Sequence, residues 1–525
     1  MRNLLIAIFG LMAASAHARE TSAPAPAQIR EAMTALLGPA DAPPLLNGGV
    51  IIARDGQVLF RSVRGMADFG TSQPIRDDSV FQLASAAKPF TSTAILQLRD
   101  RGKLGLDDPV ARHLPGFPYP AITIRHLLWH TSGLPDLELF EPLIAAEPRH
   151  IVTAADLLPA LKAWRQPLRF EAGERFRYSN INYQLLALIV ERASGKPFGL
   201  YVRDSIFRPA GMRSSYVLGT PAIGRAGEPV ANQVLAVMYQ GVPKDVRRLD
   251  YPDARMMRPY RYEGHNLGST LGDQNLFSTL DDLVRFDRAL STGRLLSPAS
   301  QQEAYAPARL KDGTEYAEEP IYELYGARCS YGMGWEVCRH PTRGRLVGHA
   351  GFNRGIATML YRALDTRQIA VMFDNGDTGD FGPKFASIVN IANGAAPLAL
   401  ARQRSLTREY GRTLVEAGPT AALILYNRLK PDSAHWSSSP AGMNRLGYDL
   451  LHNGHVALAL EPFRLNLILN PADGNLYDSY AEALAANGRT DEAILAYRRS
   501  LELKPDNVRG KEALQRLEAA KGAQH

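Results

Sequence analysis

Ser85-Ala-Ala-Lys88 puts a hydroxyl and an amine three residues apart, where an apolar strand-like run, Val80-Phe-Gln-Leu-Ala84, gives way to a helical one. On a helix, positions i and i+3 share a face, so the amine can sit beside the serine oxygen. A serine hydroxyl is a poor nucleophile until an adjacent base takes its proton, and this spacing supplies a base without a histidine. The same four residues also suit a plain helix start, with serine as cap and lysine in water. Of the chain's lysines, only Lys88 has a serine three residues before it. Pro89 has no N–H and would break a helix interior, so the helix must begin near Ser85. The serine then stands at the positive end of the helix dipole, which favours a developing oxyanion.

Three further motifs bear on this pair. Tyr178-Ser-Asn180 precedes a helix read over Ile181 to Ala193. A phenol near the serine can relay protons, and an asparagine amide can hold a carbonyl; taken alone the motif is a turn and N-cap. His349-Ala-Gly351 ends a strand, where backbone N–H groups, a close approach at glycine and a histidine donor or cation could meet a ligand. Taken alone it is an ordinary strand end. Leu127-Leu-Trp-His-Thr-Ser-Gly-Leu-Pro135 is a loop after a short helix.

The elements that must position these residues fall into two regions. Gln28 to Leu37 reads as an amphipathic helix after an Ala/Pro linker, Ala23 to Ala27. Gly49-Val-Ile-Ile-Ala-Arg54 and Gln57-Val-Leu-Phe-Arg61 read as strands joined by the hairpin signal Asp55-Gly56. The Ser85 helix runs to about Arg101 and stops at Gly102. A helix- and loop-rich stretch follows, from about Asp107 to Leu290. Strand pattern returns over Gly334 to Cys338, Arg345 to His349, Ile356 to Tyr361 and Gln368 to Asp374, with turns such as Pro341-Thr-Arg-Gly344 between. Strands at both ends with helices between predict an α+β domain: one antiparallel sheet flanked by helices, a helical insertion packed on it, and a cleft between them. From about Pro397 the pattern becomes all-helical and repeats at 34 residues. Asn453-Gly454 recurs as Asn487-Gly488, Ala459 as Ala493, Phe463 as Tyr497 and Leu467 as Leu501. That period marks a tetratricopeptide array. Asn444-Arg-Leu-Gly-Tyr448 opens one copy, a degenerate copy spans about 406 to 440, and Arg509 to Ala520 is a candidate capping helix.

The 525 residues are 45% hydrophobic and 22% charged, with a formal net charge of +7 and no long run of like charge. That is globular composition with a solvated basic surface, not a nucleic-acid footprint. Met1 to Ala18 carries Arg2, a short apolar core and Ala16-His17-Ala18, the pattern of a cleaved signal peptide. Export to the periplasm or beyond is expected, with no membrane span after cleavage. Cys329 and Cys338 are the only cysteines. A straight strand between them would hold the sulfurs apart, so two buried thiols weigh more here than the bridge that export would permit.

Together, Ser85-Ala-Ala-Lys88, Tyr178-Ser-Asn180 and His349-Ala-Gly351, in that order, resemble the class C β-lactamase and penicillin-binding serine hydrolase family. His130-Thr-Ser-Gly-Leu-Pro135, Leu276-Phe-Ser-Thr-Leu-Asp-Asp-Leu283 and Tyr331-Gly-Met-Gly-Trp335 look like further landmarks of it. The resemblance covers about residues 28 to 395. It implies a β-lactamase/transpeptidase-like fold for a hydrolase domain over 19–395, which the N-terminal pattern precedes with a signal peptide over 1–18 and the 34-residue period follows with a tetratricopeptide domain over 396–525. It also implies that Ser85 forms an acyl-enzyme, that Lys88 and Tyr178 share base and acid roles, and that Asn180 orients Lys88 and the substrate. His349 and Gly351 would line the substrate edge, and the backbone N–H groups of Ser85 and Phe352 would form the oxyanion hole. The third motif departs from the Lys-Thr-Gly of class C β-lactamases. A histidine is mostly neutral at pH 7, unlike lysine, and the middle hydroxyl is lost. The expectation moves to esters, D-amino-acid peptides or peptidoglycan-derived amides. The alternatives are a true β-lactamase, or a weakly catalytic sensor or scaffold whose repeats bind a protein partner. No cofactor and no metal are expected: His126 and His130 have i,i+4 spacing, but no Glu follows His126 and no third ligand is evident. No serine has glycine at both −2 and +2, so an α/β-hydrolase elbow is absent.

Overall fold

A computed structural model describes residues 23–39, 45–68, 73–147, 150–220, 267, 269–317, 327–340, 344–353, 356–375, 381–400, 403–452 and 454–522. The expected signal peptide, the Pro341–Arg343 part of one turn and the Tyr239–Asn266 stretch read as a pocket wall lie outside them. Among the described residues no helix is long and apolar enough to cross a membrane.

Strands β1 (Gly48–Arg54) and β2 (Gln57–Arg64) form the first hairpin. Asp55 and Gly56 both take positive φ, 52° and 79°, the turn geometry that matches the twist of the flanking strands. β3 (Arg328–Tyr331), β4 (Glu336–His340), β5 (Gly344–Asn353), β6 (Ile356–Ala363) and β7 (Gln368–Asp374) complete an antiparallel sheet in the order β2-β1-β7-β6-β5-β4-β3. β1 pairs with β7 across more than 300 residues, Val50 opposite Met372, so the two ends of the domain close one sheet around the helical middle. Both faces of the central strands are buried. Ile51 and Ala53 of β1 join Ile369, Val371 and Phe373 of β7 in the core shared with the helical middle. Val50 and Ile52 alternate to the other face with Ala370 and Met372, under α1 (Pro26–Leu37) and α5 (Phe381–Ala392). The middle supplies α2 (Lys88–Asp100), α3 (Asn180–Ser194) and α4 (Leu280–Ser291).

The cysteine region departs from expectation. The strand read over Gly334 to Cys338 starts at Glu336 and is preceded by β3, which the sequence did not signal. Gly334, at φ 79°, turns the chain back between them, and Gly332 N–H donates to Trp335 O at 2.7 Å. Cys329 and Cys338 are therefore opposite each other on neighbouring strands, with Cα atoms 4.0 Å apart, and form a disulfide. A straight strand would have held them far apart; a hairpin does not. Replacing both by serine is expected to cost about 2–3 kcal/mol for a loop of this length. Melting curves of wild type with and without reductant check it: unchanged midpoints would show that the hairpin holds without the bridge.

The C-terminal helices stack on cores of their own. α6 (Leu406–Leu429) is broken at Gly418 (φ 83°) ahead of Pro419, so the degenerate first copy is two helical pieces. α7 (Pro440–His452) and α8 (Leu460–Leu469) make the next pair, and α9 (Gly474–Ala486), α10 (Thr490–Leu503) and α11 (Val508–Gly522) follow. The repeating positions are the packing positions: Ala459 and Ala493 are fully buried, and so nearly are Phe463 and Tyr497. Asn487, of the repeated Asn-Gly pair, donates its amide to Val456 O of the preceding copy at 2.9 Å.

Candidate active site

Ser85 does not sit on the α-helix itself. Ala84–Ala87 form a single 3-10 turn that runs straight into α2, with Pro89 in the first turn of α2 where its missing N–H costs nothing. In a 3-10 turn, side chains at i and i+3 eclipse, which aligns Ser85 and Lys88 more closely than α geometry would. Lys88 Nζ lies 3.0 Å from Ser85 Oγ. Ala84 enters the turn at φ 46°, a left-handed conformation that costs an alanine about 1 kcal/mol. Leu83 N–H is tied to Leu276 O at 2.8 Å, inside the Leu276–Leu283 landmark.

Lys88 is fully buried. Its three protons have three acceptors: Ser85 Oγ, Asn180 Oδ1 at 2.9 Å and Asp273 O at 3.1 Å. Burial brings the amine down to about 8, against the opposing pull of the Asp273 and Asp136 carboxylates. Tyr178 hydrogen-bonds to Ser85, and burial holds its phenol well above its ordinary range. Its ring centroid lies 4.8 Å from Lys88 Nζ.

A bracket that the sequence marked only as a landmark holds this cluster. His130, at φ 56°, accepts at Nδ1 from Ser179 N–H at 3.2 Å and from the Asn182 amide at 3.0 Å, and its ring lies 4.3 Å from that of Tyr178. Ser132 Oγ donates to Asn182 Oδ1 at 2.7 Å, and Ser179 Oγ to Pro135 O at 2.8 Å. The next residue, Asp136, takes Asn180 N–H at 2.7 Å and, at 3.4 Å, the Asn180 amide. Asn180 thus presents its oxygen to Lys88 while Asp136 holds its nitrogen. Burial raises Asp136 to about 6. Asp273, raised to about 6 by its own burial, also interacts with the Lys88 charge. Neither aspartate stood out in the sequence, although Asp136 directly follows the His130–Pro135 motif. His126, the other half of the candidate metal pair, accepts Thr123 N–H in a helix cap, at 3.2 Å.

β4 pairs with β5 only from Gly344 to Gly348, so beyond that point the outer edge of β5 has no strand beside it among the described residues. Ala350 N–H reaches Glu336 on this side at 3.3 Å, and by strand alternation Phe352 N–H points the same way. Gly351 faces the Ser85 turn. A Cβ there would meet Leu83 O at 2.1 Å, Ala86 N at 2.8 Å and Ser85 N at 3.0 Å, all backbone atoms. Gly351→Val is expected to cost about 1–3 kcal/mol by overpacking and, by shifting the serine, to slow acylation about 100-fold. A melt paired with a time course of labelling by a serine-reactive probe checks both, and wild-type labelling would show that the turn tolerates displacement.

His349 departs from expectation. It does not offer a cation or a free donor at the edge. It is 2% exposed, with Nε2 2.9 Å from the Tyr331 hydroxyl and Nδ1 2.5 Å from Ala350 O. Burial, and secondarily the Lys88 charge, takes it down to about 3, so the ring is neutral at pH 7.

The arrangement places a serine hydroxyl against a buried amine beside a strand edge. The Beta-lactamase family model matches residues 32–392, and a Tetratricopeptide repeat model matches 474–517. The chain is 36% identical over 330 residues to penicillin-binding protein 4* of Bacillus subtilis, covering 63% of this chain and 68% of that one. It is 30% identical over 337 residues to esterase EstB of Burkholderia gladioli, covering 58% and 79%. The crystal structure of a penicillin-binding protein from Bacillus halodurans superposes with a TM-score of 0.53 at 26% identity, covering 65% of this chain and 95% of that one. The chain therefore belongs to the Beta-lactamase family of serine hydrolases and carries tetratricopeptide helices at its C-terminal end.

Proposed function

We propose that this protein is an exported hydrolase of small esters and D-amino-acid amides that works through an acyl-enzyme at Ser85. The observation that carries the reading is the 3.0 Å contact between Ser85 Oγ and a fully buried Lys88 amine brought down to about 8. An appreciable share of such an amine is unprotonated near neutral pH and can take the serine proton. Ser85 Oγ then attacks the substrate carbonyl, and the Ser85 and Phe352 N–H groups receive the oxyanion. Tyr178, held protonated by its raised pKa, passes a proton to the leaving group and is reprotonated from Lys88. Water attacks the acyl-enzyme by the reverse relay. Asn180, held by Asp136, keeps Lys88 aimed at the serine.

The neutral, fully engaged His349 favours substrates without a free carboxylate over β-lactams and C-terminal carboxylates. The name of the Burkholderia relative, an esterase, supports the same preference. The Met1–Ala18 pattern and the Cys329–Cys338 disulfide support an oxidising compartment outside the cytoplasm. The repeats suit an extended peptide or protein partner. One preparation assayed on a p-nitrophenyl ester, D-alanyl-p-nitroanilide and nitrocefin tests the reading. Turnover of the first two, with nitrocefin at least about 100-fold slower in kcat/KM, is expected for lack of the carboxylate cation. Nitrocefin as the fastest substrate would replace the reading with β-lactamase activity; no turnover of any, with no labelling by a serine probe, would sink the enzyme reading.

A further inference from the structure

A cavity of about 550 Å³ opens where Gly211, at the end of the 208–210 turn, meets the C-terminal half of α4. It shares no residue with the serine site. Arg213, Arg285, Arg288 and Arg294 line it, with Thr292 and small residues forming the rest of the wall. Gly211 carries no side chain, and this leaves the space open.

The charges around it do not balance. Asp282 is the acidic group bound to these arginines. It is buried, and its oxygens already take Arg213 N–H at 3.2 Å, Ser214 N–H at 2.8 Å, Ser215 Oγ at 2.8 Å and Arg285 at 2.6 Å. Arg294 reaches only a carbonyl, Pro209 O, at 3.2 Å. The guanidiniums of Arg213 and Arg288 have no partner among the described residues. The Arg288 stem lies against the β1–β2 turn, where a Cβ on Gly56 would come within 2.7 Å of it. Four solvent-exposed arginines thus line one concavity, and among the described residues the carboxylate bonded there, Asp282, is already saturated. Arginine complementing the end of α4 would explain Arg288 and Arg294, but not Arg213, which comes from a different element.

We propose that this cavity binds a phosphate-bearing ligand. Guanidinium forks match the oxygens of a phosphate in pairs, and a multivalent oxyanion relieves the repulsion among them. The cavity has room for a small group beside the phosphate, as in a sugar phosphate or a phospholipid headgroup. The proposal does not rest on the serine chemistry.

Calorimetric titration of the full chain with inorganic pyrophosphate at about 50 mM salt tests it. Saturable binding is expected, weakened about tenfold or more in Arg213→Gln/Arg288→Gln, with serine-probe labelling unchanged. Sedimentation with phosphatidylglycerol vesicles, against phosphatidylcholine vesicles, separates the sources. Arginine-dependent binding to the vesicles alone assigns a lipid headgroup, and binding of pyrophosphate alone assigns a soluble ligand. If the double variant melts early, Arg213→Gln, whose side chain bonds to nothing described, replaces it. Absence of both signals, or equal binding by the variant, overturns the proposal.

Discussion

Ser85→Ala is expected to lower kcat/KM on a p-nitrophenyl ester by about four orders of magnitude or more and to abolish covalent labelling. The expectation follows from the mechanism: without Oγ there is no acyl-enzyme, and the remaining oxyanion donors retain only a weak acceleration over water. The fold should be indifferent. Ser85 is half-buried on a turn held by backbone bonds and packed against Gly351, and its hydroxyl meets only the site groups Lys88 and Tyr178 among the described residues. Steady-state kinetics with a melting curve decide it. A variant that keeps more than about 1% of wild-type turnover would move the nucleophile elsewhere, since loss of a covalent nucleophile is never so mild.

Lys88→Met is expected to cost about three orders of magnitude in kcat while leaving the fold intact. General-base assistance contributes roughly 10²–10⁴-fold, and methionine fills the same buried volume. The pH dependence is the sharper readout. The working base is the neutral amine, so wild-type kcat/KM should rise with pH through about 8, where Lys88 loses its proton. In Lys88→Met that rise should vanish and leave a flat residual rate. Asp136→Asn gives a signed companion measurement. The Asp136 charge holds the lysine pKa up, so its removal should move the rising limb to lower pH. A limb that stays in place in Lys88→Met would assign it to another group.

Much of the site was legible because its parts are local. Ser85 and Lys88 are one turn apart, and Pro89 marks where the helix can begin. Asp55-Gly56 dictates a hairpin through the positive φ both residues adopt. The 34-residue period exposes the repeats because Ala459 and Ala493, Phe463 and Tyr497 must fill the same packing positions in successive copies. The cysteines show where such reading stops. Whether Cys329 and Cys338 meet depends on a reversal at Gly334, and an apolar stretch containing glycines reads equally well as one strand or as two.

The sequence by itself determined the Ser85–Lys88 pairing, the order of the motifs and the sheet-then-repeat organisation, because each is carried by spacing along the chain or by turn chemistry at a few residues. Only the tertiary structure decided what those groups are chemically. Lys88 finds Asn180 and Asp273 across 92 and 185 residues. Asp136 takes charge of Asn180, and His349 is drawn into bonds with Tyr331 and its own strand. A group's charge is set by how much water it loses and which charges stand beside it. Both are properties of packing between distant segments, so they can be read only once the chain has folded.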